Sequence, residues 1–143
     1  MNSNENACGP STRVANAIKS SIGSANRYPR MEYASLAERI ASLHEVKPEE
    51  VVLGCGSTEI LRMAAFAFLG SGKQLIQASP MLARAGASTT LVYIRNPNNP
   101  TASLTPRKDL EAFISKLPSS RFVVIDEAHH HYAGQSRHVC VLH

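Results

Sequence analysis

Two apolar runs, each emptying into a polar cluster, constrain this chain more than any other feature. Phe122-Val123-Val124-Ile125 runs into Asp126-Glu127-Ala128, and Leu91-Val92-Tyr93-Ile94 runs into Asn96-Pro97-Asn98-Asn99-Pro100-Thr101. Short apolar runs closed by turn residues read as buried strands. A parallel sheet covered by helices holds its ligand beyond the carboxyl ends of such strands. The two polar clusters are therefore where a site is expected.

The rest of the chain supplies the helices. Ser11 can cap a helix running to about Ile22, and Leu36, Ala37, Ile40, Ala41 and Leu43 follow helical spacing over 33–44. Val51-Val52-Leu53 reads as a short strand. Ser57 starts a helix that Gly70-Ser71-Gly72 closes. Gln74–Ala78 is a strand, Met81–Ala87 a short helix and Leu91–Arg95 a strand. Thr105-Pro106 caps a helix to about Lys116, with proline in the first turn, and Arg121–Asp126 is the last strand. This alternation predicts an α/β fold with a parallel sheet. One connection is short: about a dozen residues separate Ala78 from Leu91, the least that a parallel crossover needs. A tight crossover and a missing piece both satisfy it.

Composition narrows the function. With 143 residues and 43% hydrophobic content the chain can build one domain with a core. A net charge of +4 is scattered and aromatics are only 6%, which argues against a nucleic-acid partner. Cys8, Cys55 and Cys140 are widely spaced, which fits a reducing, cytoplasmic setting. Met1 leads into polar residues and no apolar stretch is long enough for a bilayer, so no leader and no membrane partner are expected.

Four positions carry chemistry. Gly54-Cys55-Gly56-Ser57-Thr58-Glu59 joins a strand to a helix, and the free N–H groups of such a turn suit a phosphate. A capping box built on Ser57 is the plainer alternative. Two prolines stiffen the Asn96–Thr101 loop, which either presents an asparagine amide or is simply a polar turn. Asp126 ends a central strand, where a carboxylate needs a partner; capping the next segment is the alternative. Tyr28, in Asn26-Arg27-Tyr28-Pro29, is a turn tyrosine with a half-buried ring unless it serves a ligand. His129-His130-His131 with His138, Cys140 and His143 match no standard zinc spacing, so no metal site is expected.

These strings resemble the fold type I pyridoxal-phosphate aminotransferases (class I/II), particularly the histidinol-phosphate aminotransferase branch. The resemblance runs to about Ser136. It implies part of the parallel-sheet large domain, with an internal deletion and without the small C-terminal domain. The implied divisions are an arm and first helix over 1–30, a partial cofactor-binding domain over 31–136 and an aberrant tail over 137–143. It implies pyridoxal 5'-phosphate as cofactor, an amino donor and a 2-oxo acid as substrates, and a homodimer. By this resemblance Gly56, Ser57 and Thr58 hold the cofactor phosphate, Asn99 bonds the phenolic oxygen and Asp126 holds the proton on the ring nitrogen. His129 stands where relatives carry a tyrosine, and Ala102 where most carry glycine. Tyr28 matches a tyrosine that reaches the neighbouring subunit's cofactor phosphate.

Two breaks interrupt the match. After Ala78-Ser79-Pro80 relatives continue into an aromatic that stacks on the cofactor, then a helix and a strand; here Pro80 joins Met81-Leu82-Ala83-Arg84 directly. None of Lys19, Lys47, Lys73, Lys108 or Lys116 stands where relatives place the cofactor-binding lysine. No catalytic residue is therefore assigned. The expected protein is an aminotransferase relative that is inactive as written, or a non-catalytic remnant that still binds phosphate. Arg137–His143 matches nothing at that place in the family, which points to a shifted reading frame near Ser136. A rival reading takes Asp126-Glu127-Ala128-His129 as a helicase box and Gly70-Ser71-Gly72-Lys73 as its phosphate loop. It fails because Gln74 replaces the magnesium ligand and the loop runs from helix to strand.

Overall fold

The architecture is given by a computed structural model, which describes residues 8–78 and 88–133. The short helix expected over Met81–Ala87 and the tail from 137 lie outside the described residues. Helix α1 spans Thr12–Ser21, and the Ser11 hydroxyl caps it by accepting the Val14 N–H at 3.3 Å. Helix α2 spans Arg30–His44, with Pro29 at its N-cap, where a missing N–H costs nothing. Ala37 and Ala41, one turn apart, are its buried positions. Glu45 ends it in the left-handed conformation (φ 57°).

Val51–Leu53 does not form the expected strand. Among the described residues no strand lies alongside to complete a ladder, and the Leu53 N–H instead donates to the Tyr33 hydroxyl of α2 at 3.3 Å. Helix α3 follows over Ser57–Phe68. A turn through Gly70–Lys73 leads into β1 (Gln74–Ala78), so this glycine segment does run from helix to strand and cannot be a phosphate loop.

Strands β2 (Thr89–Arg95) and β3 (Phe122–Asp126) complete a three-stranded parallel sheet in the order β1-β2-β3. Strand β1 pairs with β2 in parallel, Gln74 opposite Thr89 and Ala78 opposite Ile94. The central β2 is the core, with Leu91, Val92, Tyr93 and Ile94 all buried.

Helix α4 (Arg107–Ile114) begins with Pro106 at the N-cap position rather than inside the first turn. Thr105 does not cap it; its backbone is engaged elsewhere, as described below. The wholly buried Leu110 plugs α4 onto Val92 and Ile94, joined by Phe113, Leu117, Val123 and Ile125. The other face of the sheet receives α3: Phe68, in its last turn, stacks on Phe122 at the first residue of β3, ring centroids 4.0 Å apart. With Phe68 held at the start of β3, α3 lies against β2 and β3.

Candidate functional site

The strand ends are organised by register. Arg95 pairs with Asp126 and Tyr93 with Val124, and the two-residue period puts Tyr93, Arg95 and Asp126 on one face. The buried Tyr93 hydroxyl donates to Asp126 Oδ2 at 2.6 Å. Asp126 Oδ1 accepts the Ala128 N–H at 3.0 Å, so this carboxylate both takes a partner and caps the following turn. Arg95 Nε donates to the Tyr93 oxygen at 3.0 Å, and Arg95 Nη1 donates to the Asn99 carbonyl at 2.9 Å. Burial pushes the Tyr93 phenol above its ordinary value and the bond to Asp126 pushes it the same way, with Arg95 partly opposing. Tyr93 thus remains a neutral donor. The bond to Tyr93 raises Arg95 further above its already high value.

The asparagine loop is held from beneath. Asn96 is buried; its Nδ2 donates to the Thr105 carbonyl at 3.0 Å and its Oδ1 accepts the Thr105 N–H at 2.8 Å. Its own N–H donates to the Asp126 carbonyl at 3.0 Å, which ties the loop to the end of β3. Above it, the Asn98 N–H donates to the Ser103 carbonyl and the Ala102 N–H to the Asn98 carbonyl, both at 2.8 Å. The Asn96-Pro97 and Asn99-Pro100 peptides are cis. The half-buried Asn99 side chain has no hydrogen-bond partner among the described residues, whereas the Asn96 and Asn98 amides are committed.

At the start of α3 the N-cap is Gly56, at φ +79°, and no side chain caps the helix. The capping box on Ser57 is therefore not formed: Ser57 is the first helical residue. Glu59 reaches back instead, accepting the Cys55 N–H. Gly54 permits this approach, since a Cβ there would meet Glu59 Oε2 and Ile60 Cδ1, each at 2.9 Å. The Ser57, Thr58 and Glu59 N–H groups precede the first intrahelical bond, from the Ile60 N–H to the Gly56 carbonyl. They sit exposed at the positive end of the helix dipole.

Asn99 and Asp126 thus lie together at the strand ends, linked through Arg95 and Tyr93. His129 lies just beyond on the chain, half-buried, its ring 6.3 Å from that of Tyr132. Tyr28 is remote from those ends in the chain and 89% exposed, so it is not a half-buried turn tyrosine. Tyr93 and Arg95 were absent from the sequence-derived set. Alternation along β2 puts Tyr93 and Arg95 on one face, but only the β2–β3 register brings that face to Asp126.

A parallel sheet flanked by helices, with polar groups gathered at its strand ends, is the architecture of the α/β class, whose members bind ligands beyond those ends. Residues 1–83 and 77–141 match the family described as aminotransferase class I and II, and the chain belongs to that family. It is similar to histidinol-phosphate aminotransferase 2 of Hydrogenovibrio crunogenus, 34% identical over 160 residues that take in 91% of this chain and 43% of the relative. The histidinol-phosphate aminotransferase of Caldicellulosiruptor saccharolyticus is 29% identical over 171 residues, covering 99% of this chain and 48% of its own. The fold matches the crystal structure of a protein assigned as a histidinol-phosphate aminotransferase from Erwinia carotovora atroseptica. That match has a TM-score of 0.78 and 25% identity, covering 89% of this chain and 46% of that one.

The chain spans less than half the length of these relatives. The two family segments meet at 77–83, and an alignment of 160 residues uses only 91% of a 143-residue chain. Relatives therefore carry residues that this chain does not, and the junction falls where the short crossover stands. Family membership also removes the helicase reading.

Proposed function

We propose that this chain is the cofactor-binding part of a pyridoxal-phosphate aminotransferase of the histidinol-phosphate type. The reaction of the whole enzyme moves an amino group between an amino compound and a 2-oxo acid. The single observation that carries the reading is the pairing of a held carboxylate, Asp126, with an uncommitted amide, Asn99, at one sheet edge. These residues fit the cofactor. Asp126 uses two of its roughly four acceptor positions and keeps capacity for a protonated ring nitrogen. Asn99 has an amide to give, and the Ser57–Glu59 N–H groups suit a phosphate. When bound, pyridoxal phosphate supplies an electron sink for a carbon bearing an amino group. The protein's part is to hold the ring nitrogen's proton at Asp126, to fix the phenolic oxygen at Asn99, and to neutralise the phosphate at the helix start.

The same reading makes the intact protein a cytoplasmic homodimer, with the exposed Tyr28 reaching the partner's cofactor phosphate. Among the described residues no helix is long and apolar enough to cross a membrane. It also makes binding by these 143 residues non-covalent, since none of their five lysines lies in the family's covalent context. Titrating the purified chain with pyridoxal phosphate and with pyridoxal, then reducing with borohydride, tests this. The phosphate form should bind measurably tighter and leave no stoichiometric pyridoxyl-lysine. Equal binding of the two, or a specific adduct at one lysine, would refute it. Phosphate-dependent binding that inorganic phosphate matches in full would favour a remnant anion site with no cofactor role.

A further inference from the structure

Tyr93 stands at the centre of the hydrogen-bonded edge although its strand reads simply as core. Its ring is buried in β2, and its hydroxyl is held at both lone-pair and proton ends: it accepts from Arg95 and donates to Asp126. Arg95 in turn grips the Asn99 carbonyl. One continuous chain of bonds therefore runs from the Asn99 backbone through Arg95 and Tyr93 to Asp126 Oδ2. The second tie, from the Asn96 N–H to the Asp126 carbonyl, joins the same two segments through the backbone. A carboxylate held through one oxygen can still turn about its broad terminal torsion, whereas two held oxygens fix its plane. Here the Ala128 N–H fixes one and Tyr93 the other.

We propose that Tyr93, backed by Arg95, is a positioning residue that sets the Asp126 carboxylate for a protonated heteroaromatic nitrogen and couples its orientation to the Asn99 loop. The inference rests on the cofactor reading above and adds a residue pair to it. Tyr93 contributes a directed O–H and no charge, so it fixes the carboxylate without neutralising it. Arg95 lies behind the phenol and orients the hydroxyl proton towards Asp126, because its own N–H takes the oxygen's lone pair. The ligand selected is one with a basic ring nitrogen in the plane of a phosphorylated pyridine.

The test compares pyridoxal phosphate with its 1-deaza analogue, which carries carbon in place of the ring nitrogen. Equilibrium titrations use the unaltered chain, Tyr93→Phe, Arg95→Met and Asp126→Asn. The unaltered chain should prefer the nitrogen-bearing ligand by about tenfold or more, the scale of a hydrogen bond to a charged group. Tyr93→Phe keeps the buried ring and should cut that preference about fivefold while leaving the deaza analogue's affinity unchanged. Arg95→Met should act in the same direction, and Asp126→Asn should abolish the preference. A merely structural role for Tyr93 would weaken both ligands alike, and that result overturns the proposal. Retention of the full preference in Tyr93→Phe, with its loss in Asp126→Asn, overturns this inference and leaves the cofactor reading standing. No preference in the unaltered chain overturns both. The proton-decoupled 13Cζ titration of Tyr93 without ligand provides a second readout. Asp126→Asn should lower the phenol's titration midpoint, and an unmoved midpoint contradicts the Tyr93–Asp126 bond on which the proposal stands.

Discussion

Replacing Ala102 by glycine should stabilise the protein, against the usual expectation that alanine is the better residue. Ala102 has φ 54°, in the left-handed region where a Cβ crowds the backbone. Its conformation is imposed by the loop, because the Ala102 N–H bonds the Asn98 carbonyl and the Asn98 N–H bonds the next residue's carbonyl, at Ser103. An L-residue there costs about 1–2 kcal/mol, and glycine gives back about 0.5–1 kcal/mol through the freedom of its unfolded chain. The methyl is exposed, so little packing is lost. The net expectation is a gain of about 0.5–1 kcal/mol, read as a rise in the urea midpoint at unchanged slope. Ala102→Val, β-branched at the same φ, should lower the midpoint by more than about 1 kcal/mol. A destabilised glycine variant, or a valine variant as stable as the parent, would show that the loop does not impose this conformation.

Three further outcomes follow from the same geometry. Leu110→Ala should cost about 2–5 kcal/mol by denaturant unfolding, since Leu110 is fully buried between α4 and the sheet. Stability should fall as pH rises from about 10 through the higher folded midpoint of Tyr93, because the folded chain keeps a proton that the unfolded chain has released; Tyr93→Phe should flatten that alkaline slope. Both outer strands lack a partner on their outer side among the described residues, and Met31, Leu43 and Phe66 are more than three-quarters exposed, so the purified chain should self-associate in sedimentation velocity, where a stable monomer would count against open edges.

Local pattern carried much of the fold. Gln74–Ala78 and the strand into Asp126 were legible because apolar runs bounded by turn residues leave little else for the chain to do. Val51–Leu53 shows the limit: the run has strand character, but a strand needs a neighbour, and that is not a local property. The start of α4 was misplaced by a residue or two because Thr105 looked like a cap, whereas its backbone serves the buried Asn96. At the site, Asn99 and Asp126 could be named from motif and resemblance. Tyr93 and Arg95 could not be weighed without register, since only β2–β3 pairing brings them to Asp126. The glycine turn shows a third case. Its residues were found, but the acid that closes it, Glu59, acts on Cys55 rather than on Ser57, as Gly54's small size allows.

We propose that the strand ends of this sheet receive pyridoxal phosphate, its phosphate at the start of α3 and its ring at Asn99 and Asp126. Amide and side-chain NMR shifts of the isotopically labelled chain, followed as pyridoxal phosphate is added, test it most directly. Saturable shifts should concentrate in the Gly56, Ser57 and Thr58 amides, the Asn99 side-chain amide and the Asp126–Ala128 backbone. Shifts that never saturate, or that cluster away from these residues, would contradict it.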